Sequence, residues 1–136
     1  MQYLQSNYMM VIVFISSGAM LLWSYFGSKI QGIKEVGTIE ALQLINHKEA
    51  VIVDVREAKE FAGGHLINAK LIPLGSLNSR IGELEKYRDR PILLVCRSGQ
   101  RSKVATSQLN KQGFTQTYNL IGGVVAWQKS DLPLEK

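Results

Sequence analysis

Apolar residues fall along the chain in three distinct patterns. The first is a continuous run, Met9 to Phe26, with no charged side chain. At a rise of ~1.5 Å per residue such a run makes a helix of ~27 Å, close to the ~30 Å hydrocarbon core of a bilayer. Ser16, Ser17 and Gly18 interrupt it chemically but not structurally, because a helix closes its own backbone hydrogen bonds. Tyr3 and Tyr8 flank one end, and Trp23 and Tyr25 the other, as interfacial aromatics do. The expectation is a short tail over 1–8, a transmembrane helix over 9–26, a linker over 27–35 and a folded domain over 36–136.

The second pattern is a set of short apolar runs rich in β-branched residues. Val51-Ile52-Val53-Asp54-Val55 and Ile92-Leu93-Leu94-Val95 lack strict polar alternation, so both predict strands covered on two faces. Ala69–Pro73 predicts a short strand and Gln116–Leu120 a last one. The third pattern has helical spacing. Ile39, Leu42 and Ile45 predict a helix over 39–46, with Thr38 as its N-cap and Glu40 in its first turn. A short helix is predicted over Glu57–Ala62, stopped by Gly63-Gly64. Leu77, Ile81 and Leu84 suggest another. Arg101–Gln112 reads as a helix with Val104, Ala105 and Leu109 inward and Gly113 as its stop, and Gly122-Gly123 opens a last short helix through Trp127. Strands alternating with helices predict an α/β fold, a mostly parallel sheet with helices on both faces.

Charge sharpens the division. The first 28 residues carry none, and all 16 Lys/Arg and 11 Asp/Glu lie from Lys29 onward. Residues 2–8 lack Lys and Arg and no Ala-x-Ala pattern follows the apolar run, so a retained anchor is expected rather than a cleaved signal peptide. Lys29 and Lys34 lie C-terminal to the run. The positive-inside rule then predicts a single-pass protein of the inner (plasma) membrane with its C-terminal domain cytoplasmic. The net charge of +5 is mixed with acids, as in Arg88-Asp89-Arg90, which argues against nucleic acid as a partner. A single cysteine excludes an internal disulfide and a cysteine metal cluster, and it fits a reducing compartment.

That cysteine, Cys96, follows a predicted buried strand and opens Cys96-Arg97-Ser98-Gly99-Gln100-Arg101-Ser102, which leads into a predicted helix. Ligands in parallel sheets bind beyond the carboxyl ends of strands. Helix N-termini present unpaired N–H groups and favour negative charge. Gly99 permits the turn that aims successive amides inward. A thiol there, near Arg97 and Arg101, is expected to have a lowered pKa and to act as a nucleophile activated by electrostatics. The alternative fate of a free cysteine is a small buried hydrophobe, but a polar, cationic loop is a poor core environment.

These residues resemble the rhodanese-like (sulfurtransferase) domain family, whose active-site loop takes the form of Cys96–Ser102. Val53-Asp54-Val55-Arg56, Glu60-Phe61, Gly64-His65-Leu66-Ile67-Asn68-Ala69 and Ile72-Pro73 are similar to the family's first signature. Leu120-Ile121-Gly122-Gly123 with Trp127 is similar to its C-terminal one. The departure is Leu66-Ile67-Asn68, where Gly or Pro is common before the alanine. With its apolar head, the chain resembles the membrane-anchored single-domain rhodaneses of the YibN type.

The resemblance implies a five-stranded parallel sheet flanked by helices. It implies that Cys96 carries sulfane sulfur as a persulfide, from a donor such as thiosulfate to cyanide, a thiol or a protein. Arg97, Ser98, Gly99, Gln100 and Arg101 would cradle that sulfur through their amides, with no cofactor and no metal. Related phosphatases place an arginine six positions after the cysteine; here Ser102 stands there, and Arg101 falls at five. The smaller ring suits sulfur rather than phosphate. The competing expectation is an interaction module for an integral-membrane partner, with sulfur transfer incidental. Asp54 and Arg56 are candidate supporting residues: Asp54 either orders an arginine near the loop or closes a strand end. Arg56 and Glu60 are spaced to pair across a helical turn. His65 is expected to be structural rather than a base, Trp127 a core residue and His47 a solvated helix end.

Overall fold

The computed structural model describes residues 2–30 and 33–136, with the side chains of 5, 7–24 and 33–136. Tyr3, Tyr25 and Lys29 fall outside those side chains, and Gly32 outside the described residues. The chain divides into two compact units, Met1–Gly32 and Ile33–Lys136.

The first unit is one helix, α1 (Gln2–Ile30). It extends beyond the apolar run at both ends, into the expected tail and linker. Within it, Asn7–Ser24 is long and apolar enough to cross a membrane, and none of that stretch is buried. Length and composition of this kind belong equally to a membrane span and to a signal sequence.

The second unit is a five-stranded sheet: β1 (Lys34–Val36), β2 (Val51–Asp54), β3 (Lys70–Leu71), β4 (Ile92–Val95) and β5 (Thr117–Leu120). The order is β1-β5-β4-β2-β3 and every pairing is parallel. Four helices complete it: α2 (Thr38–Lys48), α3 (Ala58–Ala62), α4 (Gln100–Lys111) and α5 (Gly123–Lys129).

The period of two along a strand sorts the core. Val53, Val55, Ile92, Leu94 and Cys96 face one way, against Ala105 and Leu109 of α4 and Leu77, Leu84 and Phe114. Val36, Ile52, Leu93, Val95 and Leu120 face the other, against Ala41 and Leu44 of α2 and Val124 and Trp127 of α5. Cys96 therefore continues the alternation of β4 onto the α4 side of the sheet.

Five expectations from the sequence are corrected. Lys34–Val36, expected within a linker, is an edge strand paired to β5. Leu77, Ile81 and Leu84 do not share an α-helix; the segment folds as 3-10 helices over Leu74–Ser76 and Ile81–Tyr87. A 3-10 helix repeats every three residues, which puts Ile81, Leu84 and Tyr87 on one side, all packed into the first core face. In α2, Ala41 and Leu44 are buried and Leu42 and Ile45 pack partly against the second core face, but Ile39 is 73% exposed. In α4, Ser102, Ala105, Thr106 and Leu109 are buried, whereas Val104 is 50% exposed. The N-cap of α2 is Gly37 rather than Thr38.

Candidate active site

β4 lies at the centre of the sheet, and Cys96 follows its last residue. Its side chain is 1% exposed. Around it Arg97, Ser98 and Gln100 are exposed and Gly99 is buried. The sulfur is thus the floor of a polar ring. The Gly99 N–H donates to Cys96 Sγ at 3.0 Å, and the Ser102 hydroxyl lies 3.3 Å from the same sulfur. Gly99 caps α4 with φ of 101°, a left-handed conformation that only glycine adopts without strain. Its ideal Cβ would stand 3.3 Å from the Leu120 carbonyl oxygen, so this position also admits little bulk.

The outer side of the ring is tied to α5. The Val124 N–H donates to the Cys96 carbonyl at 2.9 Å, and the Val125 N–H to that of Arg97 at 3.1 Å. These are two of the N–H groups a helix start leaves unpaired. They pull the loop carbonyls outward, which leaves the loop amides to face the sulfur.

The thiol is held below its ordinary pKa. Burial pushes it up, but the Ser102 hydroxyl and the N–H groups of Ser102, Gly99 and Ser98 more than offset that. Hydrogen bonds to the sulfur therefore lead, among them the helix-start amides the sequence pointed to, rather than the charges of Arg97 and Arg101 it also pointed to. Arg101 is engaged elsewhere: its guanidinium donates to both Glu60 oxygens, at 2.8 and 2.9 Å. That pair ties α4 to α3 and replaces the expected pairing of Glu60 with Arg56.

Arg56 binds Asp54 instead. Its Nη2 lies 2.8 Å from Asp54 Oδ2 and 2.8 Å from the Gly64 carbonyl oxygen, and its Nε donates to the same carboxylate. Both residues are buried. Asp54 thus orders an arginine, but that arginine anchors the turn before His65 rather than the sulfur loop. His65 stacks on Phe61 with ring centroids 3.7 Å apart, and its two ring nitrogens face the Phe61 carbonyl and Glu135. Neither nitrogen is available as a base. Trp127 is buried and donates to the Pro133 carbonyl, and His47 is exposed.

Two functional neighbours lay beyond sequence reasoning. Asn119 of β5 is buried, with Oδ1 2.5 Å from Ser102 Oγ and Nδ2 donating to the Gly99 carbonyl at 3.1 Å. Glu35 of β1 accepts from the same Nδ2 at 3.3 Å and lies 3.6 Å from Lys103. The signal for them was polarity inside an apolar strand, as with Asn119 before Leu120. Its meaning depends on the pairing of Glu35 with Asn119 across β1 and β5.

Glu60 carries a pH dependence. The Arg101 hydrogen bonds hold its carboxyl at about 2. A depressed carboxyl stabilises the fold fully above its unfolded pKa, and that contribution is lost as pH falls through the folded value. Between about pH 5 and pH 2, wild type is expected to lose more stability than Glu60→Gln, measured by denaturant unfolding at each pH. The pair is partly exposed, so the difference is small, under about 1 kcal/mol. Parallel pH curves for the two proteins would remove the pair from the stability of this site.

Residues 38–130 match the rhodanese-like domain family. The chain is 33% identical over 135 residues to the uncharacterized protein YibN of Escherichia coli K12, covering 98% of this chain and 94% of that protein. It is 33% identical over 95 residues to the thiosulfate sulfurtransferase GlpE of Pseudoalteromonas translucida, 70% of this chain and 89% of that one. Among solved structures, a rhodanese-like domain protein of Staphylococcus aureus superposes with a TM-score of 0.66 at 30% identity, over 76% of this chain and all of that one.

Proposed function

The chain belongs to the rhodanese-like domain family, and on that premise we propose that it is a sulfurtransferase whose Cys96 carries sulfane sulfur as a persulfide. The observation that supports this best is the ring of donors on one sulfur: the Gly99 amide at 3.0 Å and the Ser102 hydroxyl at 3.3 Å. Such donors stabilise a negative charge on the sulfur.

With thiosulfate as donor, the Cys96 thiolate attacks the outer sulfur. A bond forms between the two sulfurs, the S–S bond of thiosulfate breaks, and sulfite leaves with its electron pair. Cys96 then holds a persulfide anion, cradled by the amides of residues Arg97 to Arg101. A thiol or cyanide attacks that outer sulfur, and Cys96 leaves as thiolate. No cofactor or metal takes part. Asp54 and Arg56 hold the turn before His65 and take no part in binding the sulfur.

The anchor belongs to the same reading. α1 is a single-pass span in the inner (plasma) membrane, with the Cys96 domain on the cytoplasmic side. Its exposed Phe14, Leu21 and Trp23 suit lipid, and tethering raises the local concentration of a membrane-bound donor or acceptor.

Full chain extracted in detergent from carbonate-washed membranes, then treated with thiosulfate, is expected to gain about 32 Da on the peptide containing Cys96. Cyanide should remove it as thiocyanate. A Cys96 that never takes up sulfur overturns this reading in favour of an interaction module. A chain absent from washed membranes overturns the anchor.

A further inference from the structure

The hydroxyl of Ser102 has one hydrogen and two acceptors beside it. Asn119 Oδ1 is 2.5 Å away and Cys96 Sγ is 3.3 Å away. A serine hydroxyl donates once, so both bonds cannot be made together. The orientation of Asn119 is fixed by its other contacts. Its Nδ2 donates to the Gly99 carbonyl and to Glu35. Turned over, its oxygen would face a carbonyl and a carboxylate, two acceptors against a third. Asn119 therefore always presents an acceptor to Ser102. All three members of the relay, Cys96, Ser102 and Asn119, are buried, so water is a poor substitute for either bond.

We propose that Asn119 is a positioning residue that competes with the Cys96 sulfur for the single hydroxyl proton of Ser102. The proposal rests on the sulfurtransferase reading of this site. When Cys96 is a neutral thiol, the proton stays on the Asn119 side. When the sulfur is a thiolate, the hydroxyl turns to it and Asn119 Oδ1 loses its partner. In the persulfide the negative charge moves to the outer sulfur, the inner sulfur is a weak acceptor, and the proton returns to Asn119. The relay thus favours the loaded state over the bare thiolate. It makes Cys96 a better acceptor of sulfur at the expense of its thiolate fraction.

The charges around the sulfur are themselves paired. Arg101 of α4 is held by Glu60 of α3, Asp54 at the end of β2 by Arg56, and Glu35 of β1 by Lys103 and Asn119. Arg97 is exposed on the loop. In α5 no acidic residue stands in the first turn, and its charged Lys129 lies in the last. The hydroxyl of Ser102 is the donor to Sγ that has a rival acceptor.

The test is the pH dependence of Cys96 alkylation by iodoacetamide in the full chain in detergent. It needs no sulfur donor, so it is independent of whether sulfur is transferred. Asn119→Ala and the bulkier Asn119→Val are both expected to free the hydroxyl and move the midpoint down by about one pH unit. Ser102→Ala should move it up. Asn119→Ala combined with Ser102→Ala should match Ser102→Ala alone, because Asn119 acts only through that hydroxyl. A merely structural Asn119 predicts the opposite sign, since loss of its bond to Gly99 loosens the amides that favour thiolate. An upward or absent shift in the Asn119 variants, or an equal shift with Ser102 removed, overturns the proposal. If neither variant folds, wild type decides: NMR signals of the Asn119 side-chain amide must move with the Cys96 midpoint, and amide signals that stay fixed through it overturn the proposal.

Discussion

Cys96→Ser is expected to reduce thiosulfate-dependent thiocyanate formation to background, a loss of at least about a thousandfold, with the domain still folded. The substitution is nearly isosteric. A serine hydroxyl can accept the Gly99 N–H that now reaches Sγ at 3.0 Å. Chemically the two differ completely. A serine alkoxide is inaccessible near neutral pH, and oxygen forms no analogue of the persulfide bond. The stability cost comes from setting a hydroxyl against apolar neighbours such as Val55, Ile72 and Ala105, which share the core face of Cys96. We expect about 1 kcal/mol, or roughly 4–8 °C in Tm for a domain of this size. Thiocyanate production by the serine variant equal to wild type would sink the assignment of Cys96 as sulfur carrier. A collapse of Tm with the activity would instead mean that the lost activity follows from lost packing.

What the sequence revealed about this site follows from how local each determinant is. The loop Cys96–Ser102 was legible because strand, turn and helix start are contiguous, and Gly99 marks the turn. β2 and β4 were legible because strands buried on both faces need only apolar, β-branched residues. β1 was not, because two of its three residues are charged and exposed; it is a strand only through its pairing with β5. The same pairing hid the polar half of the site. Glu35 and Asn119 are 84 residues apart and become neighbours only in the register of β1 with β5. Arg101 was misread for a related reason. Its charge was legible, but Glu60, which takes up that charge, arrives from a helix 41 residues away. The lowered thiol pKa was anticipated in direction and partly in cause: the inward amides were expected from the helix start, but the Ser102 hydroxyl was not, and the arginine charges do not lead.

Gly123→Ala is the substitution expected to damage both fold and activity most among changes that leave Cys96 in place. At Gly123, φ is +56°, and an ideal Cβ would stand 2.2 Å from the Cys96 carbonyl oxygen and 2.7 Å from Arg97 backbone atoms. The obstacle is backbone on both counts, so no side chain can swing aside. The left-handed conformation costs about 1–2 kcal/mol for alanine and the overlap about 1–3 kcal/mol more. A loss of about 2–5 kcal/mol consumes much of the 5–15 kcal/mol typical of a domain. The clash is relieved only by moving the loop or α5. Either movement breaks the bonds from Val124 and Val125 that hold the Cys96 and Arg97 carbonyls outward. The amides then no longer converge on the sulfur, and a displacement of about 1 Å suffices for a hundredfold loss of rate. Gly75→Ala is the control. Its Cβ meets nothing within 4 Å, and its effect on stability should stay within about 0.5 kcal/mol. Denaturant unfolding and thiocyanate formation, measured on both variants, separate the two costs. A Gly123→Ala protein as stable and active as the Gly75→Ala control would mean that α5 does not hold the sulfur loop in shape.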